Sequence, residues 1–221
     1  MLPLILAALL WIGVHVGVAG TGLRGVVVAR VGERVFTIAF SVGSVVAIAL
    51  LVSAWKAADA IPLWIPPASL KWLAVVLMLP AFILFAGSLT TKNPTAIGGQ
   101  GAEPRGMIRI TRHPMLWSFA IWAILHALAN GTQSGLVFFG AFAVTALAGM
   151  PSIDAKLAAR DPAGFAALRA RTSILPGGAI AAGRNRLELG ELVLPVAIGT
   201  IAWALLLTLH HLVIGVSPFP P

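Results

Sequence analysis

The stretch RHPMLWSFAIWAILHALANG, from Arg112 to Gly131, decides how this chain is read. His113 stands at the mouth of an apolar run and His126 lies deep within it. Pro114 suits the first turn of a helix, where its missing N–H would have no partner in any case. An ionisable side chain is costly inside a membrane span and therefore marks a functional candidate. All five histidines lie inside or at the mouth of apolar runs, whose one carboxylate, Glu191, stands at the edge of the last run. With no cysteine anywhere, chemistry inside them has to rest on imidazole.

Working outward, the 221 residues are 59% hydrophobic and 10% charged, with a mean hydropathy of +0.97. That is too apolar for a soluble domain and too short for several domains. The expected fold is all-α, a single polytopic transmembrane domain over residues 1–221. A span needs about 20 mostly apolar residues, and six runs qualify: Leu2–Gly20, Val35–Trp55, Leu70–Leu89, Met115–Ala129, Thr132–Met150 and Leu189–Ile214. Helices are expected because lipid offers no hydrogen-bond partners to an open sheet edge. The Leu2 run lacks a basic leading region and an A-x-A-like cleavage site, so it reads as a retained first helix.

A formal charge of +8 would suggest nucleic acid in a soluble protein. Here 13 of the 15 basic residues fall in the first, third and fifth connections, from Arg24–Arg34, Lys92–Arg112 and Lys156–Arg186. The positive-inside rule places those connections in the cytoplasm and both termini outside. Topology and anionic lipid account for the charge, which leaves the bilayer as partner and argues against nucleic acid. Trp55, Trp64 and Trp72 cluster about the second connection and read as interfacial belt residues.

The glycine-rich Ile97-Gly98-Gly99-Gln100-Gly101 neither follows a strand nor opens onto a GK[ST] sequence, so it reads as a flexible connection, not a phosphate loop. The fifth connection, residues 151–188, holds Asp161-Pro162, a good N-cap and first-turn pair for a short amphipathic helix. That helix either closes over a cavity or rests on headgroups. Asn130-Gly131-Thr132 formally matches a glycosylation acceptor but reads as the end of one helix and the start of the next.

Residues four apart share a helix face, so Trp122, His126 and Asn130 form one stripe, and Trp11 precedes His15 in the same way. Two such faces could bracket a flat cofactor, or could be coincidence in a tryptophan-rich chain. At 1.5 Å per residue, His15 lies about 8 Å and His126 about 18 Å from the cytoplasmic ends of their runs. That offset is awkward for one small metal ion and acceptable for a tilted porphyrin, whose iron takes axial imidazole readily. His113 is about 20 Å along the helix from His126 and cannot share a metal with it. It reads, with Arg112, as an interfacial anchor or a polar ligand group. His210 and His211 face different directions near the outer end of the last run and read as interface residues.

At these residues the chain resembles the NnrU family of bacterial inner-membrane proteins, which includes the plant and cyanobacterial carotene isomerases. The resemblance rests on Trp11 to His15, on Arg112-His113-Pro114 with Trp122, His126, Asn130 and Gly131, and on Thr172-Ser173 to Gly183-Arg184. It implies a multi-pass protein of the inner membrane that, in the isomerase branch, binds haem b through two histidines and isomerises a carotenoid double bond. By position those metal ligands fall on His15 and His126, with Arg112, His113, Trp122 and Asn130 completing the implied cofactor site. Bacterial members are associated with denitrification, in nitrite and nitric oxide reduction.

Three functions compete on this reading. The first is a haem protein, either an isomerase of an apolar polyene reached from the bilayer or an accessory factor of nitrogen-oxide respiration. The second is a methyltransferase using S-adenosylmethionine, because Arg112-His113-Pro114 also resembles the motif of the isoprenylcysteine carboxyl methyltransferases, with Leu116 and Ser118 where those have tyrosine and glycine. The third is a non-catalytic assembly protein, whose histidines merely hydrogen-bond between helices.

Overall fold

The computed structural model describes residues 1–95, 99 and 101–220; of the glycine-rich stretch, Ile97, Gly98 and Gln100 lie outside the described residues. The architecture is all-helical, with no strand among the described residues beyond an isolated bridge between Pro62 and Thr132. Helix α1 (Leu2–Ile12) runs into a π-helical turn over Gly13–Val18 and, after a 78° bend, into α2 (Leu23–Val31). There follow α3 (Glu33–Ala57), α4 (Ala68–Thr90), the short α5 (Met107–Ile110), α6 (Pro114–Asn130) and α7 (Gln133–Arg160). The chain closes with α8 (Pro162–Arg171), the short α9 (Gly178–Ala181) and α10 (Val193–Ile214).

Four helical segments, Glu33–Ala57, Ala68–Thr90, Gln133–Arg160 and Leu189–Ile214, are long and apolar enough to cross a membrane, and the bent pair at the N-terminus makes a fifth if it counts as one span. Helix α6 has 17 residues, a little short of the usual requirement. Two boundaries differ from the sequence reading. The first connection contains α2, and the fifth does not begin at Pro151. Helix α7 passes through Pro151 and ends only at Arg160. A proline inside a helix removes one backbone donor, and the other turns of a long helix hold the segment together.

The helices belong to two compact units, Met1–Pro67 with Ala123–Ser152 and Ala68–Trp122 with Ile153–Pro221. In the first, α1 packs on α3, burying Leu4, Ala7 and Ala8 on one helix and Phe36, Ala47 and Leu51 on the other. Small residues let backbones approach where lipid gives no hydrophobic drive. The α6–α7 turn is clamped from the side. Trp64 Nε1 donates to the Leu128 carbonyl at 2.9 Å, and the Gly131 carbonyl accepts from the backbone N–H of Leu63 at 2.8 Å. Gly131 sits at φ +70°, with the Trp64 carbonyl oxygen 2.4 Å from where a Cβ would be. Thr132 caps α7 by accepting from the Gly135 N–H at 3.0 Å. The Asn130-Gly131-Thr132 stretch is thus a helix-to-helix turn.

In the second unit α4 and α10 pack along their length. Trp203 Nε1 donates to the Val75 carbonyl at 3.1 Å. Gly199 lies so close to α4 that a Cβ there would come within 2.6 Å of Ile83 Cα. We predict that Gly199→Ala lowers stability by about 1–3 kcal/mol, the cost of overpacking a contact that only backbone can relieve. Gly43→Ala, where nothing lies within 4 Å, is expected to be neutral or slightly stabilising. Thermal unfolding in mild detergent measures both.

Candidate functional site

The second unit carries a buried ionic cluster at Arg112 and His113. Arg112, His113 and Asp154 expose 5%, 2% and 9% of their surfaces. Arg112 Nε donates to Asp154 Oδ1 at 2.9 Å, and its Nη2 donates to Oδ2. His113 Nε2 lies 2.9 Å from the same Oδ1. An ionised carboxylate only accepts, so Nε2 carries the ring proton there. The ring of Phe165 lies 5.9 Å from the Arg112 guanidinium carbon, within cation–π range. Arg112 and His113 are therefore anchors at the start of α6, and the partner they need is on α7.

The return segment after α8 hangs on the same point. Arg112 N–H donates to the Ser173 carbonyl at 3.0 Å, and the Ile174 carbonyl accepts from both Thr111 Oγ1 and Trp117 Nε1 at 2.7 Å. Arg184 Nη1 donates to the carbonyls of Arg169, Ala170 and Thr172, closing the C-terminus of α8. Arg109 grips Glu191 with Nε at 2.7 Å and Nη2 at 3.1 Å and reaches Asn185 Oδ1 at 3.0 Å. Its hydrogen bond to Glu191 raises the Arg109 pKa further above its ordinary value. The two sequence segments singled out around Arg112 and Thr172–Arg184 are thus neighbours within one unit.

The first unit holds His15 and His126 in an apolar, ring-lined setting. His15 stacks on Trp11 with ring centroids 3.9 Å apart, inside the π-helical turn; such turns recur at functional sites. His15 Nδ1 lies 2.9 Å from the Trp11 carbonyl. A carbonyl cannot donate, so Nδ1 carries a proton, and in the neutral ring Nε2 would keep its lone pair, as in metal-binding imidazoles. From Trp11 the rings run on without a break: Phe142 at 5.0 Å, Phe138 at 5.3 Å from Phe142, Phe139 at 5.1 Å from Phe138, and His126 at 5.2 Å from Phe139. Trp55 stacks on Phe138 at 4.4 Å and belongs to this cluster.

The Trp11 Nε1–H is buried and has no hydrogen-bond partner among the described residues. Buried donors are nearly always paired, so this one is an unmet demand beside His15. No group of three or more His, Cys, Asp or Glu that could hold a bare metal ion occurs among the described residues. A haem asks the protein for only one or two axial ligands in an apolar slot. His15 and His126 lie in one unit, joined by this run of ring contacts. Trp122 lies on α6 one turn before His126, and the Asn130 side-chain carbonyl is taken by Thr132.

Sequence reasoning missed Asp154 and the phenylalanines of α7. Met150, Asp154 and Leu157 follow each other at spacings of four and three, one helix face, and Met150 is 2% exposed. That spacing already placed Asp154 on the buried side.

This is the arrangement of an all-helical protein with helices long and apolar enough to cross a membrane, a buried Arg–His–Asp anchor and an aromatic histidine cluster. The chain belongs to the NnrU family: the family model described as NnrU protein matches residues 3–218. It is similar to the chloroplastic 15-cis-zeta-carotene isomerase of Zea mays, with 34% identity over 82 residues. That stretch covers 37% of this chain and 22% of the relative, so the likeness spans about a fifth of the relative's length. No solved structure matches the chain.

Removing the carboxylate of the anchor strands a buried guanidinium. We predict that Asp154→Ala costs about 3–5 kcal/mol, while Arg112→Met with Asp154→Leu recovers most of that loss because no charge is left unpaired. Unfolding curves in mild detergent report both, and an Asp154→Ala protein as stable as wild type would remove the anchor from this account.

Proposed function

We propose that this NnrU-type protein binds haem b through His15 and His126 and isomerises a cis double bond in a long apolar polyene. The observation that carries the reading is the unbroken aromatic cluster joining the two histidines, with His15 Nδ1 committed to the Trp11 carbonyl. The proposal includes about six spans in a single transmembrane domain of the bacterial inner membrane, with both termini outside.

Bound haem supplies an iron centre that can exchange an electron with a conjugated chain and so ease rotation about one of its double bonds. The protein's own residues do the rest. The Trp11 carbonyl holds His15 in the tautomer that offers Nε2, and Trp11 Nε1 offers a donor to an acceptor on the cofactor. Phe138, Phe139, Phe142 and Trp55 exclude water and give the polyene an apolar wall. Isomerisation conserves every atom and moves no proton, so it needs no acid–base pair. Of the seven carboxylates in the chain only Asp154 is buried, and Arg112 and His113 consume it.

Similarity to the maize carotene isomerase supports a carotenoid-like substrate over the accessory role in nitrite and nitric oxide reduction. The methyltransferase reading loses ground because Arg112 and His113 are spent on Asp154.

The experiment is turnover of a 15-cis polyene by the haem-loaded protein in lipid vesicles under reducing conditions, followed by separation of the isomers. Wild type is expected to convert it. His15→Ala and His126→Ala are expected to lose at least about a hundredfold in rate, roughly 2.7 kcal/mol of barrier. A haem-loaded wild type that leaves the polyene unchanged overturns the isomerase reading in favour of the accessory role.

A further inference from the structure

A cleft of about 350 Å³ opens in the second unit where α7 passes from apolar to charged sequence, between α8 and the residues Pro94 and Gly101 to Pro104. Its size is that of a small-molecule site. Leu157, Phe165 and Leu168 make its apolar side. The Phe165 ring also meets the Arg112 guanidinium, 5.9 Å from the ring centroid.

The charges around it come in both signs. Arg160 lines the cleft with no ion pair among the described residues. Arg171 Nη1 meets Glu103 Oε2 at 2.5 Å across the mouth, both side chains half exposed at 47% and 64%. An exposed pair of this kind holds by at most about 1 kcal/mol. A ligand that brings both a negative and a positive group can therefore exchange with it at little cost. A purely anionic ligand would face Glu103 and Asp161, and a purely cationic one Arg160 and Arg171. Only a ligand with both signs leaves no lining charge opposed.

We propose that this cleft binds a zwitterion, a phosphate or carboxylate joined by a short apolar link to a primary amine. At the level where apolar helices give way to charge, the headgroup of an aminophospholipid has this chemistry. The anion goes to Arg160 and Arg171, the ammonium to Glu103, and the linking carbons to Phe165 and Leu168. The site is independent of the histidines and of haem.

The test is native mass spectrometry of the full chain released from micelles containing equal phosphatidylethanolamine and phosphatidylglycerol, with glycerophosphoethanolamine as a soluble competitor. Wild type is expected to retain the ethanolamine lipid about fivefold over the glycerol lipid. Arg160→Gln and Glu103→Gln, both at exposed positions, each cut that retention about fivefold with unfolding temperatures unchanged, a loss near 1 kcal/mol. Displacement by the soluble competitor supports headgroup recognition; binding of the competitor with no lipid retained supports the same chemistry with a water-borne source. Equal retention of the two lipids without competitor binding, or retention untouched by both substitutions, overturns the proposal.

Discussion

The second unit depends on one constraint, that the buried carboxylate of Asp154 and the buried guanidinium of Arg112 satisfy each other. Neither ion has water to fall back on. In a low-dielectric setting an unpaired charge costs several kcal/mol, so the pair fixes position more than it adds stability. It locks the start of α6 to the far end of α7. His113 uses the same carboxylate, and the Arg112 N–H takes the Ser173 carbonyl, so the return segment after α8 has its place set by the same residue.

The first unit has a different physical basis. Its histidines stand among rings and backbone carbonyls. His15 is oriented by a carbonyl one turn away inside a widened helical turn, and Phe138, Phe139 and Phe142 of α7 connect its surroundings to His126. Rings pack without orienting a proton, which supports the proposed cofactor-borne reaction on an apolar substrate. His113, His15 and His126 thus divide by setting, the first held on a buried carboxylate and the other two among aromatic rings.

Much of this was legible in the sequence, for identifiable reasons. Apolar run length gave α3, α4, α7 and α10, and four-residue spacing gave the Trp11–His15 contact. The Asp161 cap of α8 followed from its side-chain chemistry and holds the Gly164 N–H at 2.9 Å. What could not be read came from pairing at a distance. Asp154 lies 42 residues beyond Arg112, and Pro151 hid it by suggesting that the helix had ended. The ring path needed α7's phenylalanines, which hydropathy counts only as apolar. The π-helical turn has no sequence mark beyond Gly13 and Gly17.

The central proposal is that His15 and His126 together hold a haem. Electron paramagnetic resonance of the protein purified from haem-replete cells, with haem quantified per chain, tests it most directly. The account predicts one low-spin ferric haem with two imidazole ligands, its spectrum lost from His15→Ala and from His126→Ala while both variants stay folded. A well-folded wild type without haem, or a bis-imidazole signal that survives both substitutions, contradicts it.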